Sequence, residues 1–579
     1  MKNLQTVPTS VMADFYKITH RLFYPENTTE IYSTWTPRSS AHFPVETDYA
    51  VAFGFQIFVK KYLINYFNEN FFNRNKDEVI GEYEYVIKNT LGGEVESSHI
   101  AALHDLGYLP LEIKALPEGT RVPMKVPSMT VRNTSPEFYW LTNYLETIMS
   151  AELWLPSNSA TMASHYRDLM NKWAIKTTGS TEGVDFQGHD FSFRGMSSMD
   201  AAISSGLGHL LSFSGTDNIP SIVGSEMYYN TKLDETFVGT SVPATEHSIM
   251  SSYGRENEVE AFKTIIERIP TGIVSIVSDT YDFWNVLETV IPSLKEQIME
   301  RDGTVVLRPD SGDPVDIICG DLNVPADLIF SEDEFGSYNS GDVKDVLKDY
   351  TWEIAKSDCE GSYNAGEESY EITFKHNDKY YAASIEVEYN RHNKEYYYPE
   401  YMTVGSIEEI ELTSANKGAI EMLWDIFGGT VTDQGYKRLD SHIGLLYGDA
   451  ITPERAIKIM TRLAAKGFAS TNVVFGIGSY TYQFATRDSL SYALKATYAK
   501  INGIETFIQK DPATDKENFK KSLTGKVVVI EEKGSLVVVD HLTDQLESES
   551  KGNLLKTIFK NGKELNQQTL KDVKDRLYK

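Results

Sequence analysis

Arg194, Asp217, Glu246, His247, Asp279, Arg308, Asp310 and Asp449 stand in short polar bursts, each preceded by a run of apolar or mixed residues. The bursts read His189-Asp190-Phe191-Ser192-Phe193-Arg194, Ser214-Gly215-Thr216-Asp217, Thr245-Glu246-His247-Ser248, Ser278-Asp279-Thr280-Tyr281-Asp282, Arg308-Pro309-Asp310-Ser311-Gly312, Tyr447-Gly448-Asp449 and Gly476-Ile477-Gly478-Ser479. Carboxylates and waters hold Mg2+, which in turn is bound through substrate phosphates. Arginines fork onto phosphate or stack on a flat ring. The glycines of the last two bursts let backbone N–H groups approach a phosphate, helped where a helix follows. The mixture suits a phosphorylated sugar with a metal ion. No Walker A sequence and no complete G-x-G-x-x-G occurs, so neither a P-loop nor a Rossmann dinucleotide site is supported.

Something must hold these bursts side by side. Residues 272–277, 304–307 and 472–475 are near-continuous β-branched and apolar runs, the pattern of strands buried on both faces of a parallel sheet. Helix signals follow the bursts; the clearest is Thr452-Pro453-Glu454, an N-cap, a proline at the first helical position and an early acid, opening an amphipathic run that stops near Gly467. Strand and helix alternating in this way predict an irregular (β/α) barrel over 181–490, with the polar bursts at the carboxyl ends of its strands on the active-site face. The spacing breaks once: residues 320–416 are acidic and tyrosine-rich, with strand-like segments 369–374, 380–389 and 395–404 separated by turn-like stretches at 376–378 and 390–393. This reads as an inserted β-hairpin module whose aromatics form a small core. Residues 1–180 and 491–579 mix strand and helix patterns, including a hairpin over 525–539, and are expected to pack together as a flanking β-rich α+β domain.

The formal net charge of −28 argues against a nucleic-acid surface or an anionic membrane as the main partner, because both select for positive fields. Basic residues in a pocket are correspondingly informative. The two cysteines, Cys319 and Cys359, make no disulfide framework and lack metal-ligand spacing. No apolar run approaches the ~20 residues of a membrane span and the start lacks a signal-peptide layout, so a cytoplasmic protein is expected.

Several segments, taken together and in order, resemble the nicotinamide phosphoribosyltransferase family: Asp14-Phe15-Tyr16-Lys17-Ile18-Thr19-His20, Tyr139-Trp140-Leu141-Thr142-Asn143, residues 189–198, Gly215-Thr216-Asp217, residues 241–248, Val277-Ser278-Asp279, residues 308–312 and Phe559-Lys560-Asn561-Gly562-Lys563. The likeness spans roughly 10–320 and 417–570, and the sequence at 476–482 together with the insertion looks like the family's bacterial and phage branch. It implies a type II phosphoribosyltransferase fold, a homodimer with shared active sites, Mg2+, and transfer of phosphoribosyl from phosphoribosyl pyrophosphate to nicotinamide in NAD salvage. By this resemblance Phe191 and the other subunit's Tyr16 would sandwich the pyridine, Arg194 and Asp217 would contact its amide, and Arg308 would lie along the same slot. Ser241 and Ser275 would add substrate contacts. Asp279, Asp310 and Asp449 would hold ribose hydroxyls or metal waters. Gly448, Gly478 and Ser479 would receive the 5'-phosphate, while Asp14, Arg38, Arg487, Lys495 and Lys510 would come from the other subunit. His247 would be phosphorylated by ATP, with Glu246 orienting its ring. Ile477, Ser479 and Tyr480 stand where the animal form has glycines, and Ala493 stands where it offers a serine hydroxyl.

Blander readings stay open beside these. Phe191 and Tyr16 have ordinary core and surface roles by residue type, Asp217 could cap a turn, and His247 could be structural. Among functions, nicotinate phosphoribosyltransferase is the nearest rival. A phosphosugar aldolase or isomerase wants a lysine or lone carboxylate at a strand end, and a silent sensor of NAD precursors needs neither metal-side acids nor pyrophosphate-side cations.

Overall fold

The computed structural model describes residues 4, 6–320, 369–376, 379–386, 389–390, 395–396, 403–448, 451–509 and 522–579. Asp449, Lys510, Cys359 and the turn-like positions 377–378 and 391–393 lie outside the described residues. The chain forms two units, Met1–Arg167 with His189–Thr240 and Gly478–Lys579, and Asp168–Gly188 with Ser241–Ile477.

In the first unit the chain's two ends share one seven-stranded sheet, in the order Ile504–Phe507, Ala493–Ile501, Thr28–Thr36, Met129–Asn133, Leu111–Ala115, Lys556–Lys560, Lys563–Glu564. Neighbours run antiparallel, and early and late chain join twice, where Thr34 pairs with Lys495 and Trp35 with Leu494, and where Ile113 pairs with Phe559. The strand Thr28–Thr36 is buried on both faces from Ile31 onward, with Ile31, Tyr32 and Trp35 in the core, and the Trp35 ring stacks on Tyr492 at 4.8 Å. The hairpin expected near the C-terminus is present as Lys526–Glu532 and Ser535–Leu542. Its turn, Lys533-Gly534, has positive φ at both residues, as a two-residue connection between twisted strands requires. A shorter parallel pair in this unit sets His189 opposite Gly215 and Asp190 opposite Thr216.

In the second unit four parallel strands lie in the order Val473–Ile477, Ile443–Tyr447, Val305–Arg308, Val274–Val277. Three of them are the apolar runs that the sequence marks as strands. The helix Pro453–Ala465 begins as expected: Thr452 Oγ1 accepts from the Arg455 N–H at 3.3 Å, and Ala456, Ile459, Met460 and Leu463 form its buried stripe. Gly467, at φ +77°, lets the chain turn back after it. Alternating strands and helices make this the parallel sheet of an irregular α/β barrel, and the antiparallel sheet of the other unit is its β-rich companion.

The insertion carries a three-stranded antiparallel sheet, Ser369–His376, Lys379–Glu386 and Thr403–Ile410. Its two roots meet. Gly320 (φ +85°) and Gly418 (φ +78°) are so close that a Cβ on Gly418 would sit 2.1 Å from the Gly320 nitrogen. Lys466 Nζ donates to Cys319 O at 2.9 Å and to Lys417 O at 2.6 Å, pinning both roots to the Pro453–Ala465 helix and the turn after it. The excursion therefore leaves and rejoins the unit at one point.

Candidate active site

Three of the four parallel strands end beside one another, and register decides what meets there. Ile443 and Val274 both stand opposite Val305, so residues just past Val277, Arg308 and Tyr447 are neighbours. Asp279 is the buried hub, its side chain 4% exposed. Its Oδ2 accepts from the Asp310 backbone N–H at 3.0 Å and from Ser311 Oγ at 2.5 Å. Its Oδ1 is buried and has no hydrogen-bond partner among the described residues. The Arg308 guanidinium donates from Nη2 to Thr245 O at 2.8 Å, and its Nε lies 3.7 Å from Asp310 Oδ1. A Cβ on Gly448 would stand 2.0 Å from Asp310 Oδ1, so glycine is what allows this carboxylate its position.

His247 opens the helix His247–Ser252 with half of its side chain exposed, and Nε2 lies 3.8 Å from Asp279 Oδ1 and 3.8 Å from Asp310 Oδ2. The orienting group is Thr280, whose Oγ1 is 3.1 Å from Nδ1. Glu246 does not play the part expected of it. Its carboxylate takes the hydroxyl of Ser248, a donor two residues away that reaches it at little conformational cost. Ser275 lies inside the Val274–Val277 strand, 2% exposed, and its Oγ has no hydrogen-bond partner among the described residues. Ser241 is exposed.

The first unit holds a second cluster. Asp217 follows the Gly215–Thr216 strand, its backbone N–H bonded to Asp190 O at 3.0 Å, and its Oδ1 accepts from His189 Nε2 at 2.9 Å. The imidazole thereby fixes one carboxylate oxygen and leaves the side chain 45% exposed. The His189 and Phe191 rings lie 4.6 Å apart at 39°. Asp190, between them, points the other way: it is wholly buried and accepts from the Ser192 backbone N–H at 2.8 Å. Arg194 sits exposed on the turn Phe193–Gly195. That turn is pressed against Ser479, since a Cβ on Gly195 would lie 2.0 Å from Ser479 Oγ. Gly478 and Ser479 begin the short helix Ser479–Gln483.

Residues expected from the other subunit also lie in this unit. Tyr16 is 58% exposed at the head of the helix Lys17–Phe23, its ring 5.0 Å from that of His20. Asp14 Oδ2 accepts from Thr147 Oγ1 at 2.8 Å. Arg38 donates from Nε to Ser491 O at 2.7 Å, and burial together with the nearby Arg487 charge holds its pKa below the ordinary guanidinium value. Two like charges are thus held close. Lys495 is exposed on the Ala493–Ile501 strand.

Sequence reasoning passed over His189, Thr245 and Thr280 as site residues. His189 had a signal: in a strand, residues two apart share a face, so a histidine two before Phe191 is its neighbour. Thr245 and Thr280 had none, because their contacts cross between segments far apart in the chain. Among the described residues no group of three or more His, Cys, Asp or Glu side chains could cage a metal, and no helix is long and apolar enough to cross a membrane.

A model of the nicotinate phosphoribosyltransferase (NAPRTase) family matches residues 186–338 and 405–563. The stretch between these matches falls inside the insertion. Over 575 residues the chain is 43% identical to the nicotinamide phosphoribosyltransferase of Acinetobacter baylyi, covering 97% of this chain and 96% of that one. It is 29% identical to the nicotinamide phosphoribosyltransferase of Mycoplasma pneumoniae over 89% of this chain and 94% of the other. It is 26% identical to that of Xanthomonas campestris pv. campestris, covering 97% and 96%.

Proposed function

Because the chain belongs to the nicotinate phosphoribosyltransferase family, with a type II phosphoribosyltransferase fold, we propose that it transfers phosphoribosyl from phosphoribosyl pyrophosphate to nicotinamide, giving nicotinamide mononucleotide and pyrophosphate for NAD synthesis. The observation that carries this reading is the Asp279–Asp310–Arg308 cluster, where parallel strand ends hold the Asp279 carboxylate on the Asp310 backbone N–H at 3.0 Å and the Arg308 guanidinium 3.7 Å from the Asp310 carboxylate. The pyridine nitrogen attacks C1 of the ribose, the C1–O bond to pyrophosphate breaks, and the pair of electrons leaves with pyrophosphate. The nucleophile is neutral and carries its own lone pair, so no general base is needed. Catalysis is then positioning plus electrostatics around an oxocarbenium-like transition state.

In this reading Asp279 and Asp310 orient the ribose hydroxyls and metal-bound waters. The Asp279 oxygen buried without a hydrogen-bond partner fits such a role. Mg2+ would be held through substrate phosphates and water, with Asp449 as a further candidate, and would draw off the leaving group's charge. Phe191 and the partner's Tyr16 would face the pyridine, each well-placed aromatic pair adding ~0.5–1.5 kcal/mol beyond area burial. Arg194 and Asp217 would contact the amide, with Ser241 and Ser275 as further contacts. Gly448, Gly478 and Ser479 would receive the 5'-phosphate. Asp14 and the cations Arg38, Arg487, Lys495 and Lys510 would act from the second subunit of a homodimer, on the pyrophosphate side. Incubation with phosphoribosyl pyrophosphate, Mg2+ and equal nicotinamide, nicotinate and quinolinate tests the reading. Nicotinamide mononucleotide as the main product is the expected result; nicotinate mononucleotide as the main product would install the rival.

ATP coupling is part of the same proposal. With Thr280 beside Nδ1, Nε2 of His247 is the nitrogen that would take the γ-phosphoryl group, forming an N–P bond as the anhydride to ADP breaks. His247→Ala is expected to keep basal transfer and lose stimulation by ATP, measured as initial rates with and without the nucleotide. An unchanged ATP response would remove the coupling from the proposal.

The insertion is read as peripheral to this chemistry. Its roots meet at Gly320 and Gly418, and its acidic character would repel phosphates at short range. Replacing 321–416 by a short Gly/Ser linker is expected to leave kcat and both KM values within several-fold. A folded deletion variant without transfer would show that the module contributes to the site or to assembly.

A further inference from the structure

His209, on the helix Met199–Leu210, is fully buried, yet both of its ring nitrogens are committed. Nε2 lies 3.0 Å from Gly215 O and Nδ1 lies 2.7 Å from the Tyr482 hydroxyl. A carbonyl oxygen only accepts, so Nε2 carries the proton; with one proton on the ring, Nδ1 then offers its lone pair and Tyr482 donates to it. This requires a neutral imidazole. Burial drives its pKa down to about 4, outweighing the opposing pull of Asp190. The ring also stacks on Phe213, centroids 5.2 Å apart at 29°.

The two partners are what give the bridge its interest. Gly215 begins the two-residue strand that delivers Asp217, and Tyr482 lies in the helix that Ser479 opens. Tyr482 is itself 1% exposed, and its hydroxyl has no other hydrogen-bond partner among the described residues. The Ser479–Gln483 helix is gripped from a second side, where the Ser197 backbone N–H donates to Gln483 Oε1 at 2.9 Å and Gly195 admits Ser479.

We propose that His209 is a positioning residue, which locks the Ser479–Gln483 segment to the strand bearing Asp217 and so sets the distance between the phosphate and pyridine ends of the reacting pair. The proposal rests on the functional reading above, which gives the phosphate to Gly478 and Ser479 and the amide to Asp217. Its physical reason is the narrow tolerance of the reaction. Reacting atoms must stand about 3–3.5 Å apart, and a misplacement near 1 Å costs about a hundredfold. A rigid, buried, doubly bonded ring holds such a spacing better than packing alone, which permits small slides.

Tyr482→Phe removes the hydroxyl and keeps the ring, so the fold is disturbed little. Titration calorimetry with ribose 5-phosphate then gives affinity and stoichiometry separately for wild type and variant. The expected result is a Kd weakened about tenfold at unchanged stoichiometry, with the Kd for nicotinamide moved less than twofold. A merely structural tyrosine would lower the fraction of competent sites and leave Kd alone, which would overturn the proposal, as would wild type that binds no ribose 5-phosphate. If wild type binds ribose 5-phosphate but transfers to neither nicotinamide nor nicotinate, the functional reading fails while the comparison of affinities still decides the role of His209.

Discussion

Asp310→Ala is expected to lower kcat/KM by about a thousandfold, toward the upper range for loss of one preorganised electrostatic contact. The carboxylate sits where three strand ends converge. Its backbone N–H is tied to Asp279, its Oδ1 faces Arg308, its Oδ2 faces His247, and Gly448 leaves room for it. Removal therefore deletes a ligand-facing charge and also frees Arg308 from one of its two anchors. The fold should survive, because the Asp310 side chain is a third exposed and packs no apolar core. Thermal melting would show this, and steady-state kinetics would show the loss. Gly448→Ala is expected to move in the same direction, since the added methyl group and the carboxylate cannot share that space. Mixing Asp310→Ala with the equally inactive Tyr16→Ala should restore part of the activity, because each mixed dimer would contain one intact site built from two chains. A mixture that exchanges subunits and stays inactive would remove the shared-site proposal. An Asp310→Ala enzyme within tenfold of wild type would remove Asp310 from the chemistry.

How much of this was readable beforehand depended on whether the signal was local. The runs at 272–277, 304–307 and 472–475 became strands because buried parallel strands need apolar residues on both faces, a requirement written into consecutive positions. Thr452 and Pro453 announced their helix for the same reason. The helix Glu146–Thr178 announced nothing. It contains Pro156, and residues 155–164, among them Ser157, Asn158, Ser159, Thr161 and Ser164, are buried on all sides, so it has no polar face to set a period. At the site, aspartates and arginines after strand runs stood out by type and position. Their partners did not: Thr245 joins Arg308 across 63 positions, and the His189–Asp217 pair depends on a two-residue parallel bridge too short to show any pattern. His209 is harder still. One histidine in an apolar helix is indistinguishable from core until Tyr482, 273 positions later, is placed beside it.

Asp217→Asn is expected to shift the choice between nicotinamide and nicotinate more than any other single change. In wild type the amide NH2 would donate to the Asp217 carboxylate, while the second oxygen of nicotinate would meet it as a like charge. Asp217 is 45% exposed in the free chain, but a pyridine seated between Phe191 and the partner's Tyr16 would displace water, and like charges meeting there can cost several kcal/mol; each 1.4 kcal/mol is about tenfold, so a preference near a hundredfold for nicotinamide in kcat/KM is expected. The His189 bond to Oδ1 sharpens the argument, because it holds the carboxylate in one orientation. Opposing charges exist, but they differ in their freedom. Arg308 is engaged with Thr245 O and Asp310, whereas Arg194 stands on an exposed turn and is the guanidinium that would favour nicotinate. Asparagine keeps an oxygen for His189 and turns an N–H toward the substrate, which exchanges repulsion for a hydrogen bond at the acid and loses an acceptor for the amide. The nicotinamide to nicotinate ratio of kcat/KM should therefore fall by about a hundredfold in Asp217→Asn, and removing Arg194 as well should return part of it. Competition assays with both pyridines in one reaction measure the ratio directly. Equal use of the two by wild type, or a ratio that Asp217→Asn leaves unmoved, would take the discrimination away from Asp217 and assign it to the arginines.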